Sequence, residues 1–216
     1  PAGSLVPSSG LAGVRLGVLA RWEDYASEAV CDGIGAALDR LAAHGAHLLP
    51  FEYPDFDAAW GAWLTIIVAE SAAYHADNLR ECPLEISPDV RTFLETGAQV
   101  RAGHYLRAQQ LRRTWCGKVD EALSAFDAII CPTLPDVAPR LGAETVSLRC
   151  GDVPLRDAFV HFQWPANFAG TPSISLPGAT PRGGLPVGLL LTGRVGRDVE
   201  LLCLARQVER CLHEGH

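Results

Sequence analysis

The sequence predicts an α/β fold, a mixed and largely parallel β-sheet covered by helices, and three observations carry that prediction. The first is a strand–helix–strand unit near the start. Val14–Leu19 (V-R-L-G-V-L) alternates as a strand does, Ser27–His44 has helical periodicity, and His47–Glu52 alternates again. Such a unit fits a right-handed crossover between parallel strands. The second is a pair of strand-like segments late in the chain, Ser173–Leu176 and Pro186–Gly193, separated by a Pro/Gly-rich turn at Pro181–Gly184. The third is size: 216 residues, 48% of them hydrophobic, are enough to bury a core. Residues 1–12, rich in Pro, Gly and Ser, read as a linker, and 13–216 as a single α/β domain.

Within the first unit, Val30, Ile34, Leu38 and Leu41 share one helix face, and Gly45 suits the residue after its end. The unit reads as scaffold. Pro54 fits a first helical turn, and the helix it opens is expected to reach about Arg80. Trp60, Trp63, Ile67, Glu70 and Tyr74 fall three and four apart and form its expected buried stripe. Ser87-Pro88-Asp89 is a helix start, and helical pattern continues to about Ser124 with a break expected near Gly103. There Tyr105, Ala108, Arg112, Trp115, Val119, Ala122 and Phe126 form a stripe that Arg112 interrupts. Asp127–Cys131 reads as a buried strand and Leu134–Pro154 as an irregular surface crossing. The run from Phe159 reads as a polar-aromatic loop leading into Ser173–Leu176. Asp198 caps a last helix through about Leu212, with Val199, Leu202 and Ala205 to Arg206 on its inner side.

Bulk properties exclude several function classes. A net charge of −7 with scattered charges argues against a nucleic-acid surface. No apolar run approaches the roughly 20 residues that span a bilayer. Seven cysteines, odd in number and without C-x-x-C spacing, fit neither a disulfide framework nor paired metal ligands. A reducing cytoplasm is the expected setting. The histidines do not cluster at metal spacing, and no phosphate-binding glycine motif occurs, so neither metal nor cofactor is expected. The chain contains no methionine and begins with Pro1, which reads as a piece of something longer; removal of an initiator Met is the alternative.

W-P-A-N-F-A-G-T-P-S-I-S-L-P-G at Trp164–Gly178, followed by G-L-P-V-G-L-L-L-T-G at Gly184–Gly193, resembles the C-terminal half of the amidase signature hydrolases. Further matching pieces keep the family's order: G-V-R-L-G-V-L from Gly13, E-S-A-A-Y-H from Glu70, P-D-V-R-T-F-L-E-T-G from Pro88, Y-L-R-A-Q-Q-L-R from Tyr105 and F-D-A-I-I-C-P-T from Phe126. The resemblance implies hydrolysis of a carboxamide C–N bond by a Ser–cis-Ser–Lys triad. It also implies that this chain is the C-terminal part, supplying scaffold and one pocket wall, because no G-G-S-S-G-type nucleophile run occurs in it. The chain alone is then expected to be inactive and to need the N-terminal half of the fold, or to self-associate through the exposed face. In the tRNA amidotransferase branch an acidic residue stands five positions before the loop proline. Val160 occupies that position here, which points to a less polar amide or a urea-like compound.

The residues expected to touch a small amide substrate are Gln163 and Trp164, then Phe162, Tyr74 and Glu70, with Asn167 pinning the loop backbone. No catalytic residue is expected within the chain. Glu70 has two readings, a hydrogen-bonded structural carboxylate or a cavity-facing group with Tyr74, and an ion pair with Arg112 is one way to satisfy it. Lys118, the sole lysine, lacks a neighbouring serine motif and is not assigned the catalytic role. Cys131, at a strand end with histidines elsewhere, invites a Cys–His nucleophile reading, but C-P-T lacks the helix start that lowers a thiol pKa. His161 reads as a solvated loop residue. The competing reading for the whole chain is a non-catalytic α/β module that binds a small molecule or a partner.

Overall fold

The computed structural model describes residues 10–178 and 184–213. The linker residues 1–9 and most of the turn expected at Pro181–Gly184 fall outside them. The chain divides into two compact units, one of Pro1–Tyr53 with Asp120–His216 and one of Pro54–Val119.

The first unit is built on a five-stranded sheet in the order β2-β1-β3-β7-β6. Its strands are β1 (Arg15–Leu19), β2 (His47–Phe51), β3 (Ala128–Pro132), β6 (Ser173–Pro177) and β7 (Gly188–Thr192). β2, β1 and β3 pair in parallel, while β7 is antiparallel to both β3 and β6. Four strands therefore run one way and β7 alone is reversed, as expected of a mixed, largely parallel sheet. The crossover α1 (Glu28–Ala43) joins β1 to β2. Ser27 caps it through its hydroxyl on the Val30 amide, and Gly45 takes φ of 92° just past its end. Val30, Ile34 and Leu41 are buried and Leu38 partly so. With Leu201, Leu204, Ala205 and Val208 of α8 (Asp198–His213), they join Leu16, Ile130, Leu189 and Leu191 of the sheet in one core. Gly17 of β1 packs tightly as well: a Cβ there would come within 3.0–3.1 Å of Ile129, Phe126 and Phe51.

Four expectations are corrected here. Leu11, inside the stretch read as linker, is fully buried, and its N–H donates to the His44 carbonyl. The surface crossing contains a hairpin, β4 (Thr145–Leu148) with β5 (Gly151–Pro154), turned at Arg149 and Cys150, followed by Gly151 with φ of 116°, and tied by Ser147 Oγ to Asp152. Val146 and Leu148 pack with Ala158 into a small cluster under it. The segment read as a loop is mostly helical, α6 (Leu155–Val160) and α7 (Trp164–Ala169). Pro165 occupies the first turn of α7, where its missing N–H costs nothing, and Gly170, with φ of 73°, ends it. In α8 the buried face is Leu201, Leu204, Ala205, Val208 and Leu212, leaving Val199 and Leu202 exposed.

The second unit is helical: α2 (Phe56–Tyr74), α3 (Ala76–Glu81), α4 (Pro88–Ala98) and α5, which runs Ala102–Leu123. The expected helix to Arg80 breaks at His75, and the break before α5 falls at Gln99–Arg101 rather than Gly103. The buried face of α2 is Ala59, Ala62, Ile66, Val68 and Ala72, not the aromatic stripe, whose members are half-buried or exposed. The reason is the close crossing with α4. Gly97 sits so near α2 that a Cβ on it would stand 2.0 Å from the Val68 carbonyl oxygen, and only small side chains fit between backbones at that distance.

Candidate functional site

Glu70 and Tyr74 belong to the helical unit, and Phe162, Gln163, Trp164 and Asn167 to the sheet unit. In the helical unit a cavity of about 530 Å³ opens among α2, α4 and α5. Ala72, Ala73, Ala76, Gly97 and Val100 make it apolar, and Glu70 and Tyr105 are its polar lining. The apolar floor follows from the same close crossing, since residues small enough to let α2 and α4 touch leave space beside them.

Glu70 is exposed rather than buried in the stripe, and its carboxylate is held by neutral donors instead of Arg112. Tyr105 Oη donates to Glu70 Oε1 at 2.7 Å. Gln109 Nε2 donates to Tyr105 Oη at 2.8 Å and to the same carboxylate oxygen at 3.3 Å. Tyr105 and Gln109 are one helical turn apart on α5 and so face the same way. Arg112 bears on Cys116 of the next turn, whose thiol burial pushes up while the guanidinium partly offsets it. Tyr74 is 84% exposed, lies edge-on to His75 and does not line the cavity. Tyr105 and Gln109 were not singled out as Glu70's partners in the sequence, although polar residues four apart on one face were there to be read.

In the sheet unit, Phe162, just before α7, and Trp164, its first residue, are buried, with the ring centroids of Trp164 and Phe168 6.0 Å apart. Gln163 is half-buried, and its Nε2 donates to the carbonyl of Thr133, the residue that follows β3. Thr133 Oγ1 in turn pairs with Ser175 Oγ of β6 at 2.6 Å. The Asn167 side chain is exposed and makes no hydrogen bond among the described residues, so the expected pin of the backbone is Gln163. His161 is not a solvated loop residue. It stacks on Tyr25 with ring centroids 3.6 Å apart, and burial lowers its pKa to about 4, leaving it neutral near pH 7.

Burial pushes the Cys131 thiol up to about 12, so it is held as a thiol and not as a nucleophile. Lys118 forms an ion pair with Asp55 on the helical unit. All seven cysteines are free thiols. Among the described residues no group of three or more His, Cys, Asp and Glu is placed to hold a metal ion, and no helix is long and apolar enough to cross a membrane.

A family model described as Amidase matches residues 7–202. An amidase from Pseudomonas putida is 35% identical over 178 residues, which are 82% of this chain and 38% of that protein. The 1-carboxybiuret hydrolase subunit AtzE of Pseudomonas sp. (strain ADP) is 32% identical over 202 residues, covering 92% of this chain and 43% of that one. Among solved structures, a crystal structure of an amidase superposes with a TM-score of 0.87 at 29% identity, covering 96% of this chain and 48% of that one. The chain thus spans less than half the length of these relatives.

Proposed function

The chain belongs to the amidase family, and from that premise we propose that it forms the scaffold and pocket wall of an enzyme that hydrolyses a carboxamide C–N bond. The carrying observation is the extent of the family match. Residues 7–202 include both the Glu70 cavity and the Gln163 cluster, so the polar groups described above lie within the matched region.

In this proposal the bond-breaking Ser–cis-Ser–Lys set lies outside the 216 residues. The sequence has no G-G-S-S-G run, and its one lysine is tied to Asp55. The lysine, acting through the cis-serine, takes the proton of the nucleophilic serine. The serine oxygen attacks the amide carbon, the amine leaves with a proton, and water then releases the acid from the acyl-enzyme. The region 13–216 contributes Gln163 as the substrate-facing amide, with Phe162 and Trp164 packed behind it and Asn167 at the open side of α7. Glu70, oriented by Tyr105 and Gln109, lines the apolar cavity, with Tyr74 at the exposed end of α2. Val160 and the apolar cavity floor favour a less polar amide or a urea-like substrate.

The partner that completes the fold is its N-terminal half, with self-association as the alternative. Exposed Leu64, Tyr74 and Leu106 on the helical unit, and Val195, Val199 and Leu202 on the sheet unit, are surfaces such partners would cover. Seven free thiols suit a reducing, cytoplasmic setting.

The test is kinetic, in an active amidase containing these residues. Glu70→Gln and Gln163→Leu should each lower kcat/KM for amides by about tenfold or more, with the thermal midpoint nearly unchanged. Unchanged kinetics in both variants would remove the pocket-wall assignment.

A further inference from the structure

We propose that Gln163, Thr133 and Ser175 form a cradle for a carboxamide or urea that carries an N–H, recognising the C(=O)–N–H group the two share. The inference deepens the amidase reading and rests on it. The three residues meet from separate segments: Thr133 follows β3, Ser175 lies in β6, and Gln163 precedes α7. β3 and β6 flank β7 and run in the same direction, so the carboxyl end of β3 and the Thr133–Ser175 pair lie toward the end of the sheet where open α/β folds place ligands.

Gly188 makes the meeting possible. It stands on β7, between the two hydroxyl-bearing segments, and a Cβ there would come within 2.7 Å of Thr133 Oγ1 and 3.1 Å of Ser175 Oγ. With no side chain at position 188 of the middle strand, the two hydroxyls approach to 2.6 Å. The Thr133 N–H also donates to the Gly188 carbonyl, which fixes the height of Thr133 at the strand end.

Gln163 Nε2 is committed to the Thr133 carbonyl at 3.2 Å, which orients the side-chain amide and leaves Oε1 as an acceptor with no partner among the described residues. A hydroxyl pair needs only one of its two protons for the bond between its members, so the second O–H remains a donor. One oriented acceptor and one available donor complement the N–H and C=O of a primary amide. A tertiary amide has the C=O but no N–H for Gln163. The site is open to a ligand, because Gln163 and Thr133 are half-buried and Ser175 is exposed.

The test is a titration of the isotope-labelled 216-residue protein with benzamide, phenylurea and N,N-dimethylbenzamide, read at the Gln163 side-chain amide and at Thr133 and Ser175. Benzamide and phenylurea should shift these signals, and the dimethyl compound should bind about tenfold more weakly for want of its N–H bonds. Gln163→Met, which keeps length but removes the acceptor, should bring benzamide down to the dimethyl level. No binding of benzamide or phenylurea, equal binding of all three, or wild-type affinity in Gln163→Met would overturn the cradle; the ligand ranking needs no variant to fold. If the ranking holds but a whole enzyme containing these residues hydrolyses no amide, the amidase reading fails and the cradle stands. If that whole enzyme hydrolyses amides with a KM indifferent to Gln163→Met, the cradle fails and the reading stands.

Discussion

Replacing Gly97 with alanine tests the packing on which the helical unit and its cavity depend. The added Cβ would stand 2.0 Å from the Val68 carbonyl oxygen, 2.6 Å from its carbon and 2.9 Å from Ala72 Cβ. Ordinary contact lies near 3.5 Å, so α4 has to move away from α2 by more than an ångström, and neither partner atom at Val68 belongs to a side chain that can rotate aside. Overpacking of this kind costs about 1–3 kcal/mol, and alanine's better helix propensity returns less than about 1 kcal/mol at a residue next to the helix end. A net loss of about 1–3 kcal/mol corresponds to a fall of roughly 3–10 °C in Tm for a chain of this size. The control is Gly117→Ala on α5, where a new Cβ meets nothing within 4 Å. That change should be neutral or stabilise by up to about 1 kcal/mol. Thermal melts followed by circular dichroism decide it. If Gly97→Ala melts at or above the temperature of Gly117→Ala, the close crossing is wrong, and with it the account of the cavity.

Further outcomes follow from the buried titratable groups. His161 should titrate near pH 4 by NMR, and a value at or above its ordinary 6.5 would contradict its stacked burial on Tyr25. Because that pKa is lowered on folding, the unfolded chain binds the extra proton between about pH 6.5 and 4. His161 therefore costs no stability above 6.5 and an increasing amount, on the order of 2–3 kcal/mol, as pH falls to 4. His161→Phe should flatten that part of the pH profile relative to wild type, and an unchanged difference would refute the linkage. In native protein, iodoacetamide should modify exposed Cys150 and spare Cys131, whose pKa is pushed up to about 12; peptide mass spectrometry showing Cys131 alkylated as fast as Cys150 would contradict this.

How much was legible in the sequence varied with how local the determinant is. The β1–α1–β2 unit was read to within one or two residues, because Ser27, Gly45 and the alternation of the strands act over a few positions. In α2 the large aromatics outweighed the alanines, yet the alanines are buried, because the distance to α4 is set by Gly97, far along the chain. The phase of α8 was misjudged for a related reason. Val199 and Leu202 are as apolar as Leu201 and Leu204, and only the sheet beneath decides which pair it covers. The Trp164–Gly170 segment carried a Pro-first, Gly-last helix signature, but its density of Pro, Gly and aromatics read as loop. Among the candidate site residues, Gln163 of the sheet unit and Glu70 of the helical unit were named from sequence and their partners were not. Thr133 and Ser175 lie 42 positions apart, and their hydroxyls meet because Gly188 has no side chain to stand between them.

The most direct measurement of the central claim is treatment of the purified 216-residue chain with a serine-directed fluorophosphonate, with amide hydrolysis followed in parallel. A chain that supplies the pocket wall but not the nucleophile should take up no label and turn over no amide. Stoichiometric labelling of one of its own serines, accompanied by hydrolysis that the label abolishes, would contradict the account.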